Sequence, residues 1–317
     1  MVRLLYIESI MKNLYKSLLL IFVVLWPVLH LRAQETYVYK VCEDDTLQVD
    51  LYRPLSARSD RACVVYLHDG GFRAGSRCDT LSRSAAESWA SRGFAVVSVD
   101  YRLTVKKMNF DGFGLSDVVP AAERIFGSVV EDCCDAVAFV VAHADDWNID
   151  TSKIILAGSS AGAIAVLQAD YCRCNALDWA ASLPAGFRPA AVVSYSGGVY
   201  SHDGAIKYAL PPAPTCFFHG TKDRIVNYKQ MAWFKYRFAG SSKLSSVFRD
   251  GRFPYWFFRI DGHAHDVFHM MPNTVDEFVA FVDMALSGRY FLYETDCYDV
   301  QIETEPRFSQ SLLNFVR

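Results

Sequence analysis

The sequence lacks the features that mark several large classes of protein. Its 32 lysines and arginines form no cluster and are outnumbered by 35 aspartates and glutamates, which argues against a nucleic-acid partner. It contains no internal repeat, no low-complexity stretch and no Pro/Gly/Ser-rich linker, so neither a repeat protein nor a disordered chain is indicated. What it does contain is 52% hydrophobic residues, enough for the core of an ordinary globular protein.

The cysteines do not indicate a metal site. Neither Cys133-Cys134 nor Cys172-x-Cys174 has the paired spacing of zinc ligands, so we predict no metal and no cofactor. Nine cysteines is an odd number, and at least one thiol must therefore be free or paired outside the chain.

The first 33 residues differ in character from the rest of the chain. Lys12 and Lys16 precede an uncharged run from Leu18 to Leu29, which has the layout of a secretory signal. The run has 12 residues, fewer than the roughly 20 that a membrane-spanning helix needs. We therefore predict a signal peptide over 1–33, cleavage after Ala33, and a secreted or periplasmic protein without stable membrane insertion. An uncleaved membrane anchor is the alternative.

Strand-like and helix-like segments alternate along the remaining chain. Short, continuous apolar runs end in turn residues, and several are followed by apolar residues at helical spacing. The predicted strands are Thr36–Cys42, Leu47–Tyr52, Ala62–Leu67, Ala95–Val99, Ile154–Ala157, Ala191–Tyr195, Cys216–Phe218 and Tyr255–Ile260. The predicted helices are Cys133–Asp145, Ala161–Tyr171 and Val275–Leu286. This alternation predicts an α/β fold with a mostly parallel central sheet and helices on both faces.

The same pattern predicts one catalytic domain over residues 34–290. The segment 103–128 fits neither periodicity and is a candidate lid or pocket wall. Residues 291–317 remain unassigned and are treated as a C-terminal extension. Functional loops of a parallel sheet lie at the carboxyl ends of its strands, so motifs at those positions carry the most information.

A nucleophile motif follows the strand Ile154–Ala157. Gly158-Ser159-Ser160-Ala161-Gly162 reads G-x-S-x-G between a strand and a helix, the context of a nucleophile elbow. The spacing selects Ser160 as the nucleophile. The competing interpretation is a Gly/Ser turn that only caps a helix.

A serine nucleophile needs an oxyanion hole, a base and an acid. Gly70 and Gly71, after the strand Ala62–Leu67, are candidate amide donors together with the amide of Ala161. Asp223 follows a later strand and is the candidate acid. His265 follows the next strand and is a candidate base.

His263 lies only two residues from His265 and is the rival base. His68, which lies two residues before Gly70, is interpreted as a residue that braces a turn. A plain Gly-Gly turn is the alternative reading of the oxyanion segment.

The sequence resembles the carboxylesterase and hormone-sensitive-lipase branch of the α/β-hydrolases. The resemblance is carried by four stretches in the family's order: Val64–Phe72 with Gly75-Ser76, Val97–Leu103, Ile154–Gly162 and Phe217–Asp223. It implies an α/β-hydrolase fold, nucleophile Ser160, acid Asp223 and base His265. It also implies oxyanion donors at Gly70, Gly71 and Ala161.

Two positions depart from that family pattern. Asp69 stands where the family usually has glycine, and Asp266 stands where a small residue more often follows the histidine. The first puts a carboxylate beside the predicted oxyanion loop. The second does not change the predicted acid, because an adjacent residue can hardly orient the imidazole from behind.

The resemblance implies a serine hydrolase that cleaves carboxylic esters through an acyl-enzyme. Its substrate would be a small-molecule or carbohydrate ester, with acetyl or feruloyl esters of carbohydrates suggested by export and family analogy. A serine peptidase or lipase on the same fold is the alternative enzyme, and a non-catalytic binding protein is the alternative outside enzymes.

Overall fold

The computed structural model describes residues 34–42 and 44–298. The predicted signal peptide 1–33 lies outside the described residues, as does the end of the predicted C-terminal extension beyond 298. In chain order, the strands are β1 (Gln34–Val41), β2 (Thr46–Tyr52), β3 (Cys63–Leu67), β4 (Ala95–Val99), β5 (Ile154–Ser159), β6 (Ala191–Tyr195), β7 (Gly198–Ser201), β8 (Thr215–Gly220), β9 (Gln230–Trp233), β10 (Tyr236–Gly240), β11 (Tyr255–Asp261) and β12 (Leu292–Tyr298).

Nine of these strands form one sheet in the order β1-β2-β4-β3-β5-β6-β8-β11-β12. The hairpin β1–β2 is antiparallel, and β2 also runs antiparallel to β4. From β4 to β12 all neighbouring strands are parallel. Their central members are buried along their whole length, as the continuous apolar runs predict. The predicted α/β fold class is therefore confirmed.

Within the described residues, five α-helices cover the two faces of this sheet. They are α1 (Thr80–Ser91), α2 (Val118–Ala142), α3 (Ala161–Cys174), α4 (Ser241–Gly251) and α5 (Val275–Leu286). Successive strand residues point to opposite faces, so Val65 packs with α2, α3 and α4 whereas Val64 and Tyr66 pack with α1 and α5. The core is thus two apolar layers separated by the sheet.

The segment 103–128 becomes helical earlier than its sequence pattern indicated. A 3₁₀ turn at Thr104–Lys107 is followed by a loop, and α2 begins at Val118, well before the predicted helix start at Cys133. The first half of α2 is mostly exposed or half-buried. It therefore lacks the wide apolar stripe by which a helix is predicted from sequence.

The segment 292–298, placed in the C-terminal extension by sequence, forms the edge strand β12 of the large sheet. It pairs with β11 in parallel from Leu292 opposite Tyr255 to Tyr298 opposite Asp261. Its side chains are mostly exposed, and backbone pairing rather than an apolar run defines it.

A second, three-stranded sheet lies beyond the carboxyl edge of the large one. Its order is β7-β10-β9, with antiparallel pairing throughout. Strand β7 directly follows β6, and the β9–β10 hairpin follows β8, so this small sheet adjoins the loops in which the candidate residues lie.

Within the part of the chain that the structure describes, no helix is long and apolar enough to cross a membrane. All nine cysteines are free thiols, six of them buried.

Candidate active site

Ser160 lies at a sharp turn between β5 and α3. Its backbone adopts φ 49° and ψ −111°, a conformation that a non-glycine residue rarely takes. The turn is crowded, because a Cβ placed on Gly162 would lie 2.0 Å from the carbonyl oxygen of Leu67. The Ser160 amide donates to the Tyr195 carbonyl at 2.8 Å, which ties the turn to β6. Only glycine at 162 lets α3 approach β3 closely enough to hold the serine there.

Three side chains from three separate loops meet at the carboxyl edge of the sheet. The Ser160 Oγ lies 2.7 Å from Nε2 of His265. The Nδ1 of His265 lies 2.7 Å from Oδ2 of Asp223. All three residues are buried, with relative exposures of 6%, 5% and 3%. A hydroxyl, an imidazole and a carboxylate therefore form one continuous hydrogen-bonded line.

Asp223 is held as a buried anion. Burial by itself raises its pKa, but hydrogen bonds from His219 and His265 outweigh burial and lower the pKa to about 2. The other carboxylate oxygen, Oδ1, accepts the backbone amides of Ile225 at 2.9 Å and Val226 at 3.1 Å. The carboxylate is thus ionised and fully hydrogen-bonded at neutral pH.

The rival histidine does not reach the serine. The Nδ1 of His263 lies 2.6 Å from Oδ2 of Asp266, and the same carboxylate accepts the Ala264 amide at 2.9 Å through Oδ1. Asp266, one of the two departures from the family pattern, therefore fixes the loop between β11 and the 3₁₀ helix His265–Asn273. That loop presents the His265 imidazole, and not the His263 imidazole, to Ser160.

The loop after β3 carries the two candidate oxyanion glycines. Gly70 has φ 111° and Gly71 has φ 61°, and a Cβ on Gly70 would lie 2.0 Å from the Ala74 carbonyl oxygen. Ala161 is the first residue of α3, where backbone amides have no partner within the helix. Among the described residues, the amides of Gly70, Gly71 and Ala161 donate to no other group. All three remain available to an acceptor in the site.

The stacked rings of His68 and Tyr101 support the loop that carries Gly70 and Gly71. His68 stacks on Tyr101 with ring centroids 4.2 Å apart, and its Nδ1 donates to the Asp69 carbonyl at 2.6 Å. The Tyr101 hydroxyl donates to the carbonyls of His68 at 2.9 Å and Asp69 at 3.1 Å. Burial lowers the pKa of His68, so its imidazole is neutral and structural.

The Asp69 side chain is half-buried beside this loop. Burial raises the pKa of its carboxyl, and the nearby Asp79 carboxylate raises it further. The charged form of Asp69 is therefore less favoured than that of an exposed aspartate.

His219 was not predicted as a site residue, yet it contacts Asp223. Its Nε2 lies 3.1 Å from Oδ2 of Asp223, the oxygen that also accepts from His265. No local pattern indicates this contact, because His219 belongs to an apolar buried strand and is typical of a core histidine. In the described part of the chain, no group of three or more His, Cys, Asp or Glu side chains could hold a metal ion.

Comparisons with known proteins agree with this architecture. Residues 49–183 match the BD-FAE family model. The chain is 32% identical over 104 residues to Lipase 2 of Moraxella sp. (strain TA144), covering 33% of this chain and 20% of that protein. It is 31% identical over 122 residues to the arylesterase of Saccharolobus solfataricus, covering 38% of this chain and 33% of that protein. The matches therefore span a third or less of the length of these relatives.

Solved structures extend the likeness over most of the chain. The thermophilic esterase Est2 of Thermogutta terrifontis gives a TM-score of 0.57 at 18% identity, covering 80% of this chain and 92% of that chain. The same esterase with propionate bound gives a TM-score of 0.55, covering 78% of this chain and 93% of that chain. At this identity the likeness shows a shared fold. With the sheet topology, it shows that the chain has the α/β-hydrolase fold, and residues 49–183 are similar to the BD-FAE family.

Proposed function

We propose that this chain is a serine esterase that hydrolyses carboxylic esters through an acyl-enzyme. The observation that carries the proposal is the unbroken line from Ser160 Oγ to His265 Nε2 and from His265 Nδ1 to Asp223 Oδ2, with 2.7 Å at each step. This is the arrangement by which an imidazole activates a serine hydroxyl.

In the proposed first half-reaction, Ser160 Oγ attacks the ester carbonyl carbon and its proton passes to Nε2 of His265. The amides of Gly70, Gly71 and Ala161 donate to the oxyanion, whose charge is also favoured by the N-terminus of α3. The C–O bond to the alcohol breaks, and the alcohol leaves with the proton from His265.

In the second half-reaction, water attacks the acyl-enzyme and passes a proton to His265. That proton returns to Ser160 Oγ as the carboxylic acid leaves. Asp223 stays ionised throughout and stabilises the imidazolium that forms in each half-reaction.

The replacement Ser160→Ala tests the proposal. We expect it to lower kcat for a short p-nitrophenyl ester by roughly 10⁴-fold or more while leaving the thermal unfolding temperature close to wild type. The matched control is Ser159→Ala, because Ser159 Oγ is buried against the Tyr66 hydroxyl at 2.9 Å and lies outside the line. Retention of most activity by Ser160→Ala would contradict the assignment.

A fluorophosphonate probe separates an esterase from a non-catalytic binding protein. Only an activated serine reacts with the probe, so we expect labelling of the wild type and of Ser159→Ala but not of Ser160→Ala. An unlabelled, correctly folded wild type would favour the binding protein.

We further propose that the substrates are acetyl or feruloyl esters of carbohydrates and that the protein is exported. Support for export is the basic, then apolar, then small-residue layout of 1–33. Amino-terminal sequencing of the protein recovered outside the cytoplasm tests it, with Gln34 as the expected first residue.

Support for a carbohydrate alcohol comes from a polar cleft of about 590 Å³ that is lined in part by the 3₁₀ turn after β4. The β1–β2 turn lies at the same sheet edge as the carboxyl end of β4, because β2 runs antiparallel to β4. The 3₁₀ turn after β4 is joined to the oxyanion loop by a 3.0 Å hydrogen bond from the Val105 amide to the Phe72 carbonyl. The cleft is lined mostly by charged and hydroxyl side chains, together with one indole: Cys42, Asp44, Asp45, Arg102, Thr104, Lys107, Glu123, Arg124, Gly127, Ser128, Glu131 and Trp179.

Trp179 is the residue of this cleft on which a sugar ring could stack. We expect Trp179→Ala to raise KM for an acetylated or feruloylated oligosaccharide by roughly 10-fold, equivalent to about 1.4 kcal/mol. Hydrolysis of p-nitrophenyl acetate should stay within about twofold of wild type, because that ester is too small to fill the cleft.

The control variant is Phe234→Ala, which removes an aromatic ring that is 83% exposed and lies outside the cleft. Equal KM changes for the oligosaccharide and for p-nitrophenyl acetate would contradict a carbohydrate subsite here.

A further inference from the structure

We propose that His219 is a positioning residue for Asp223, and that turnover by way of His265 depends on its hydrogen bond. The proposal rests on the proposed esterase function and assigns a role to a second buried histidine at the same carboxylate. His219 lies in β8, four residues before Asp223, and is fully buried.

The partners of His219 fix which ring nitrogen carries the proton. Its Nε2 lies 3.1 Å from Oδ2 of Asp223 and 3.0 Å from the carbonyl oxygen of Val226. An ionised carboxylate and a carbonyl can only accept, so Nε2 must be the donor. The imidazole therefore points an N–H at the acid.

Ser241 completes this arrangement from the other side of the ring. Its Oγ lies 2.7 Å from Nδ1 of His219, and Ser241 is the first residue of α4 and fully buried. A hydroxyl can donate to the unprotonated nitrogen of a neutral imidazole, so Ser241 holds the tautomer that Asp223 requires. Tyr228 encloses the ring edge-on, with centroids 5.5 Å apart.

The result is a carboxylate whose rotation is fixed by four donors. The amides of Ile225 and Val226 hold Oδ1, while His265 and His219 share Oδ2. Without His219, Oδ2 is held by His265 alone, and the buried charge loses one of its hydrogen bonds. Both changes weaken the support that Asp223 gives to the imidazolium of His265 in the transition state.

This role predicts an effect on turnover rather than on substrate binding. The ring of His219 is separated from Ser160 by Asp223 and His265, so it contacts reacting atoms only through them. Loss of its hydrogen bond should therefore lower kcat with little change in KM.

Two amide replacements form a matched test. The amide nitrogen of His219→Gln can reach the position of Nε2 and donate to Asp223. The shorter amide of His219→Asn lies near the position of Nδ1, so it keeps a partner in Ser241 and loses Asp223. We expect kcat for a p-nitrophenyl ester to fall roughly 10-fold or more in His219→Asn, with KM within about threefold, and His219→Gln to recover most of the loss.

Phe248→Leu controls for a general loss of stability. Phe248 is buried on α4 and packs edge-on against Phe217, also of β8, at a centroid distance of 5.5 Å, without touching the carboxylate. We expect Phe248→Leu to lower the unfolding temperature without a comparable fall in kcat. An equal fall in kcat in Phe248→Leu and His219→Asn would overturn the proposal.

Proton NMR of the free protein gives a readout that does not depend on substrate. The proton between His265 Nδ1 and Asp223 should give a downfield resonance that moves or disappears in His219→Asn and returns in His219→Gln. A resonance unchanged in His219→Asn, with kcat within threefold of wild type, would overturn the positioning role. A folded wild type that neither hydrolyses esters nor labels with fluorophosphonate would instead refute the proposed function, and the resonance would still test His219.

Discussion

Asp223 is a carboxylate that is 3% exposed and lies among hydrogen-bond donors. The cost of burying its charge is offset by those donors, which is why its pKa is lowered although burial raises it. The same donors fix its orientation toward His265. One set of contacts therefore serves both stability and the proposed chemistry.

The lowered pKa of Asp223 makes part of the stability depend on pH. The ordinary pKa of 3.8 falls to about 2 on folding, so folding favours the ionised form. The contribution, about 2 kcal/mol, is present above pH 4 and is lost as the pH falls through 2. We expect Asp223→Asn to be less stable than wild type near neutrality, with the difference in unfolding temperature narrowing between pH 4 and pH 2.

Thermal unfolding of both proteins across that range measures this effect. Asp178→Asn, which makes the same replacement at an exposed aspartate, is the control. A constant difference in unfolding temperature between Asp223→Asn and wild type down to pH 2 would argue against the lowered pKa.

The kcat of Asp223→Asn should also fall, by roughly 10⁴-fold, because the imidazole loses its orientation.

Helix α3 packs closely against strand β3 at the nucleophile turn, because Gly162 has no side chain to separate them. A Cβ on Gly162 would lie 2.0 Å from the Leu67 carbonyl oxygen and 2.6 Å from that of His68. Both obstacles are backbone atoms of the segment that leads into the oxyanion loop. Close packing of these two elements therefore sets the distance between the serine and the candidate amide donors.

Gly162→Ala tests that dependence. The added methyl group must push α3 away from β3, and overpacking of this kind typically costs roughly 1–3 kcal/mol. We expect a clear fall in the unfolding temperature and a loss of ester hydrolysis, because Ser160 and the glycine loop move apart. Gly114→Ala is the control, since Gly114 is exposed and its nearest neighbour, Asp117 Oδ2, is 3.7 Å from the added Cβ. An unfolding temperature for Gly162→Ala equal to that of Gly114→Ala would show that the contact is not tight.

The order of the strands in the large sheet brings the candidate residues together. Ser160 follows β5, Asp223 follows β8 and His265 follows β11, while the glycine loop follows β3. These strands lie in the order β3-β5-β6-β8-β11, so all four loops emerge at one edge of a parallel sheet. Residues that are up to 195 positions apart in the chain thereby come within hydrogen-bond reach or face the same site.

Several elements could be predicted and others could not, for identifiable reasons. The central strands were predicted because burial on both faces requires continuous apolar runs such as Cys63–Leu67. Helix α1 and the first half of α2 were not, because their apolar stripes are narrow and partly exposed. Strand β12 was not, because it has no continuous apolar run and its side chains are mostly exposed, and only pairing with β11 makes it a strand.

The sequence by itself determined the α/β fold, the serine at the turn and the downstream order of acid and histidine. These depend on local patterns: apolar runs, turn glycines and the residues at strand ends. Only the tertiary structure decided that His265 rather than His263 meets Ser160, and that His219 donates to Asp223. Both contacts depend on which groups, distant in the chain, become neighbours in the interior. Each buried donor there must find an acceptor, and no local sequence pattern encodes that pairing.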